Sequence, residues 1–89
     1  TAERDALARE LWADTKVRES RLLACWLFNP QTLGTDEAKE MMASVQTREE
    51  ADILAFRLLR RLPYAADLAS EVPDTYAREA LLRNLAALA

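Results

Sequence analysis

Apolar residues recur at helical spacing along the whole chain, and no stretch alternates with period two. Leu7, Ala8, Leu11 and Trp12 share one face of a first predicted helix, Ala2 to Ala13. The polar Asp14-Thr15-Lys16 turns the chain into a second helix, from about Val17 to Phe28. Asn29-Pro30 stops it, because proline lacks the amide hydrogen that the helical ladder needs. After Gly34, Thr35 is the predicted N-cap of a third helix. Asp36 and Glu37 stand at the positive end of its dipole, and Ala38, Met41, Met42 and Val45 form its apolar stripe. Thr47 is predicted to cap a fourth helix, with Glu50 completing a capping box. That helix is expected to run to Leu62 through Ala51, Leu54, Ala55 and Leu58. Pro63 separates it from a short fifth helix, Tyr64 to Glu71. Pro73-Asp74 open a sixth, which carries Ala77, Leu81, Leu82, Leu85 and Leu88 to the C-terminus.

The helices repeat in pairs. Arg18-Glu19, Arg48-Glu49 and Arg78-Glu79 open the second, fourth and sixth helices, thirty residues apart each time. In that register Leu23 meets Ile53, Cys25 meets Ala55 and Leu85, Trp26 meets Phe56, and Phe28 meets Leu58 and Leu88. The preceding helices align as well: Ala8 with Ala38 and Leu68, Leu11 with Met41, and Trp12 with Met42 and Val72. Glu71 breaks the apolar register of the third unit, as in a terminal or diverged repeat. One helix pair cannot bury its apolar face alone, so neighbouring pairs must stack. The expected fold is all-α: one domain over residues 1–89, a right-handed stack of about three antiparallel helix pairs covering roughly 1–30, 31–62 and 63–89.

Composition narrows the chemistry. One glycine and three prolines suit long helices with short connections, and 51% hydrophobic with 30% charged residues suits a folded, solvated domain. A single cysteine excludes an internal disulfide, and the lack of histidine leaves no ordinary zinc site, so no metal or cofactor is implied. Cys25, flanked by apolar residues, is expected to be a small buried side chain in a reducing cytoplasm. The run from Leu22 to Phe28 is too short to cross a bilayer, no signal peptide pattern is visible, and no membrane partner is expected. Gly34 alone cannot make a phosphate-cradling loop, and histidine-dependent nucleophilic catalysis has no base.

A net charge of −3 and a pI near 4.9 oppose strong nonspecific binding to nucleic acid. The charge is nevertheless sorted. The first helix of each of the first two pairs (the A helix) is acidic, whereas the second (the B helix) carries Lys16, Arg18 and Arg21, or Arg57, Arg60 and Arg61; Arg78 and Arg83 mark the third B helix. In a helix-pair stack the B helices line the concave side, which would give an acidic protein a basic face. Arginines near helix C-termini are also favoured by the helix dipole, and Arg–Glu pairs within and between repeats would be solvated bridges. Trp12, Trp26, Met41 and Met42 fit apolar stripes and are expected in the core.

The segment Glu10-Leu11-Trp12-Ala13 through Arg18-Glu19-Ser20-Arg21-Leu22-Leu23-Ala24 resembles the LW…E-x-R-x-L-A signature of the HEAT-repeat DNA alkylation repair proteins, the alkylpurine DNA glycosylase family. Asn29-Pro30 followed by Thr35-Asp36-Glu37 resembles that family's next connection. Glu50-Ala51-Asp52 falls where the family has a helical aspartate, and Tyr76-Ala77-Arg78-Glu79-Ala80 resembles the start of the next B helix, where the family has an arginine facing DNA. The resemblance touches most of the chain and implies a HEAT-like superhelix, as a short or reduced family member.

It also implies double-stranded DNA as partner and a glycosylase-like role for Asp52, whose carboxylate would stabilise positive charge on the sugar as a cationic base leaves. Arg78 takes the place of the DNA-facing arginine; charge sorting adds Arg18, Arg21, Arg57, Arg60 and Arg61 as candidate DNA contacts. Arg48 and Met41-Met42 stand where the family has tryptophans, and Arg48, at i−4, is expected to pair with Asp52. Asp52 shares its register with Leu22 and Leu82, so its carboxylate is either held by an arginine or functional. Two other functions fit the same pattern. One is a binding module without catalysis. The other is a scaffold that meets a protein partner, or itself, through the apolar last helix from Leu81 to Leu88.

Overall fold

The computed structural model describes residues 2–88. Among them lie six α-helices and no strand: α1 (Ala2–Ala13), α2 (Arg18–Leu27), α3 (Thr35–Ala43), α4 (Arg48–Arg57), α5 (Ala65–Glu71) and α6 (Tyr76–Leu88). The fold is all-helical, as the periodicity requires.

Local chemistry accounts for most helix ends. Thr47 Oγ1 accepts from the Glu50 backbone N–H at 3.1 Å, which satisfies one of the orphan donors of α4. The Glu50 side chain does not close the box on Thr47. Its Oε1 accepts from the Gln46 N–H at 3.4 Å and from Arg21 instead. Gly34, not Thr35, is the N-cap of α3; its backbone is extended and offers no side-chain cap. The expected run of α4 to Leu62 is also cut short. The α-helix stops at Arg57, and Leu59–Arg61 form one 3-10 turn. The chain leaves the α-helix at Leu58, at φ −126° and ψ −61°, and Pro63 bars its continuation past the turn by driving Leu62 out of the helical region, to φ −68° and ψ 138°. The break keeps Leu58, Leu59 and Leu62 all buried.

α1 packs on α2, α2 on α4 and α4 on α6, with α5 and the 3-10 turn against α6. Ala51 and Ala55 on α4, and Ala77 and Ala80 on α6, are buried, and such small side chains let helix backbones approach closely. Leu54, Leu58, Leu59, Leu68 and Leu81 fill the centre, and Trp12, Phe28, Met41 and Met42 close its flank. Tyr64 donates its hydroxyl to the Leu33 carbonyl at 2.6 Å and so fastens the loop after α2 to the start of α5.

The thirty-residue sequence period has a counterpart in space. Arg9 bridges from α1 to Glu37 on α3, and Lys39 from α3 to Glu71 on α5. Arg18 and Arg21 bridge from α2 to Glu49 and Glu50 on α4, and Asp52 from α4 to Arg83 on α6. Each bridge joins a helix to the one two places along, across 28 to 32 residues.

One of these bridges is buried. Arg21 and Glu50 are 4% and 7% exposed, with Nη1 to Oε1 at 2.5 Å. The guanidinium also donates to the Trp12 carbonyl at 2.8 Å, the Ser44 carbonyl at 2.9 Å and Ser44 Oγ at 3.2 Å, and lies 4.1 Å from the Trp12 ring centre. Arg21 therefore cannot be the surface DNA contact that charge sorting suggested. Removing one member of a buried ion pair strands the other charge, so Glu50→Ala is expected to cost about 3 kcal/mol or more. In urea denaturation, the double variant Arg21→Met/Glu50→Leu should recover much of that loss.

Candidate functional site

The even-numbered helices carry the chemistry on their outer sides. The buried stripe of α2 is Arg21, Ala24, Cys25 and Phe28, spaced i, i+3, i+4, i+7. Trp26 lies one residue past that stripe, about 100° around the helix. It is 54% exposed, which corrects its expected place in the core, and Leu23 beside it is 51% exposed. Trp12, by contrast, is buried, as are Met41 and Met42. On α4 the outer row contains Asp52 and Phe56, the latter 43% exposed.

Cations gather where α2 and α4 end. The Arg57 guanidinium carbon lies 3.3 Å from the Trp26 ring centre and 5.2 Å from that of Phe56. Arg60 lies 4.0 Å from the Phe56 ring centre and donates Nε–H to the Phe56 carbonyl at 2.8 Å. Arg4, from α1, donates to the carbonyls of Trp26 and Leu27 at 3.1 and 3.0 Å. Arg61 is exposed beside Arg60. Among the described residues no carboxylate lies within ion-pair distance of Arg57, Arg60 or Arg61. Arg9, Arg18, Arg21, Lys39, Arg78 and Arg83 each face one.

The other expected contacts are engaged elsewhere. Arg18 is exposed but bridges Glu49 and Glu19. Arg78 is half-buried; it donates to the Ala69 carbonyl at 2.8 Å and approaches Asp74 at 3.8 Å, which turns it toward the end of α5. Asp52 is exposed and pairs with Arg83 at 2.9 Å, not with Arg48. Arg48 lies 5.0 Å from the ring centre of Tyr76 on α6. Arg48, Asp52, Tyr76, Glu79 and Arg83 line an open hollow of about 170 Å³. Asp52 is thus held by an arginine, one of the two roles open to it, on the side of α4 that also carries Phe56.

Trp26, Phe56 and Tyr76 were the functional candidates that the apolar pattern concealed. The signal for the first two was their shared register, which holds an exposed aromatic in two successive repeats while the neighbouring Cys25 and Ala55 are buried. Two further open hollows, of about 410 and 400 Å³, share Met42, Ala43 and Thr75; Asp74 and Glu79 make the first partly polar, and the second is mainly apolar. Val45 and Tyr76 line the first, Val72 and Pro73 the second. Among the described residues no group of three or more cysteines or carboxylates is placed to hold a metal ion, and no helix is long and apolar enough to cross a membrane.

Cys25 has no exposed thiol. Its Sγ–H donates to the Arg21 carbonyl at 3.3 Å, and burial, with the nearby negative charge of Glu50, pushes its pKa up to about 12. The thiolate is the reactive form, so native protein should not react with a disulfide reagent between about pH 8 and 9, whereas denatured protein should. The exposed Asp52–Arg83 pair sits in water, so Asp52→Asn should change stability by less than about 1 kcal/mol in a thermal melt.

No protein-family model, no curated protein and no solved structure matches the chain.

Proposed function

We propose that the chain is a HEAT-like stack of about three helix pairs that binds nucleic acid through the end of its B-helix face formed by Trp26, Phe56, Arg57, Arg60 and Arg61. The observation that carries this reading is the imbalance of charge on that end. Among the described residues, the three arginines at that end face no carboxylate, in a chain of net charge −3, and two exposed aromatic rings stand among them. A surface that exposes apolar rings and uncompensated cations together suits a ligand with phosphates and flat bases. Bridges from each helix to the one two places along support the stack, and the resemblance to the DNA alkylation repair proteins fits both halves of the proposal.

Binding is favoured over base excision. Asp52 is solvated, paired with Arg83 and placed in an open hollow. A carboxylate that stabilises a developing cation acts best where water is excluded. A second reading, docking of a protein segment, is favoured by the mainly apolar hollow lined by Met42, Ala43, Val72 and Pro73.

The test is fluorescence anisotropy with short labelled DNA at two salt concentrations. Three phosphate contacts correspond to a log–log salt slope of about −2 to −3. The variant Arg57→Glu/Arg60→Glu/Arg61→Glu should lose at least about tenfold in affinity and most of that slope. Unchanged binding in this variant would remove nucleic acid from this end of the molecule.

A further inference from the structure

The rings and cations at the end of α2 and α4 bear on which form of nucleic acid that end would hold. Resting on the binding reading above, we propose that the ligand is single-stranded, with one base stacked at Trp26, a second at Phe56, and the adjoining phosphates on Arg57, Arg60 and Arg61.

Ring placement is the first support. Trp26 and Phe56 occupy the same register of successive repeats, on helices that pack against each other, and the guanidinium of Arg57 contacts both rings. The rings are therefore neighbours, both within reach of one guanidinium, as two bases of one strand would need. In a duplex the base faces are stacked on one another and closed to a protein side chain; a single strand offers them.

The number of free cations is the second. Proteins that hold duplex DNA electrostatically neutralise about six to ten phosphates. At this end three arginines face no carboxylate among the described residues, and the same helices carry Glu19 and Glu49 at their starts and Asp52 midway along α4. A stiff duplex laid along α2 and α4 would meet those carboxylates. A flexible strand of two or three nucleotides can turn away after the arginines.

The third support is what covers the rings in the free protein. Arg57 stacks on Trp26 at 3.3 Å and Arg60 on Phe56 at 4.0 Å, so each ring face is covered by a planar, delocalised group of the kind a base would replace. An exposed cation–π contact is weaker than base–aromatic stacking. Exchange of guanidinium for base frees the arginine for the phosphate next to it, so one movement forms both contacts.

The experiment titrates the intact chain with oligothymidylate of about twelve nucleotides, and with a duplex of equal length, following tryptophan fluorescence and anisotropy. Single-stranded DNA should bind at least about tenfold tighter than duplex and quench the tryptophan signal. Trp26→Leu and Phe56→Leu should each weaken single-strand binding by at least about fivefold, with only a small change in melting because both side chains are about half exposed. Duplex binding equal to or tighter than single-strand binding, insensitive to Trp26→Leu yet lost in the triple arginine variant, would overturn the single-strand proposal and leave the nucleic-acid reading standing. Failure of both ligands to bind at low salt would overturn both.

Discussion

The buried pair of Arg21 and Glu50 sets the positions of the helices around it. Two charges withdrawn from water are expensive unless their remaining donors and acceptors are met, and here they are. The Arg21 guanidinium reaches the last turn of α1 at Trp12, the end of α3 at Ser44 and the first turn of α4 at Glu50. Glu50 in turn accepts from the Gln46 N–H before α4. Three helix ends from two repeats are thus tied to one side chain of α2. The neighbouring Arg18–Glu49 bridge repeats the link at the surface. With the N-terminal halves of α2 and α4 registered in this way, the positions of Trp26 and Phe56 follow. Each lies five or six residues further along its helix, about 8 Å at helical rise.

Seen from this node, the charge distribution has a simple organisation. Toward the starts of α2 and α4, and between α1, α3 and α5, cations and carboxylates pair from one helix to the one two places along. Toward the ends of α2 and α4 the pairing stops, and arginines meet aromatic rings and carbonyl oxygens. The helix dipole favours cations there in any case. It does not, however, account for two large exposed rings in the same place, and the proposed binding surface rests on that conjunction.

Much of the fold was legible in the sequence because its signals are local. Thr47 caps α4 through its hydroxyl, Asn29-Pro30 follows the end of α2, and the thirty-residue register reappears as bridges across 28 to 32 residues. The site was less legible because its determinants are long-range. Glu50 reads as half of a local capping box, yet its strongest partner lies 29 residues away. Asp52 has an arginine at i−4, but Arg48 is drawn to the Tyr76 ring and Arg83 takes the carboxylate from the next B helix. Trp26 joins an apolar run, and a run of consecutive apolar residues cannot say which one turns outward; only the packing of α2 on α1 and α4 decides that.

The two tryptophans allow the most direct test. Their indole N–H signals are separable by NMR in uniformly labelled protein and can be assigned with Trp26→Leu. On addition of oligothymidylate, the account expects the exposed Trp26 indole and the α4 amides around Phe56 to shift together, while the buried Trp12 indole and the amides lining the Met42 hollows stay in place. Shifts confined to the Met42 hollows, or none at Trp26 under conditions where the oligonucleotide binds, would contradict it.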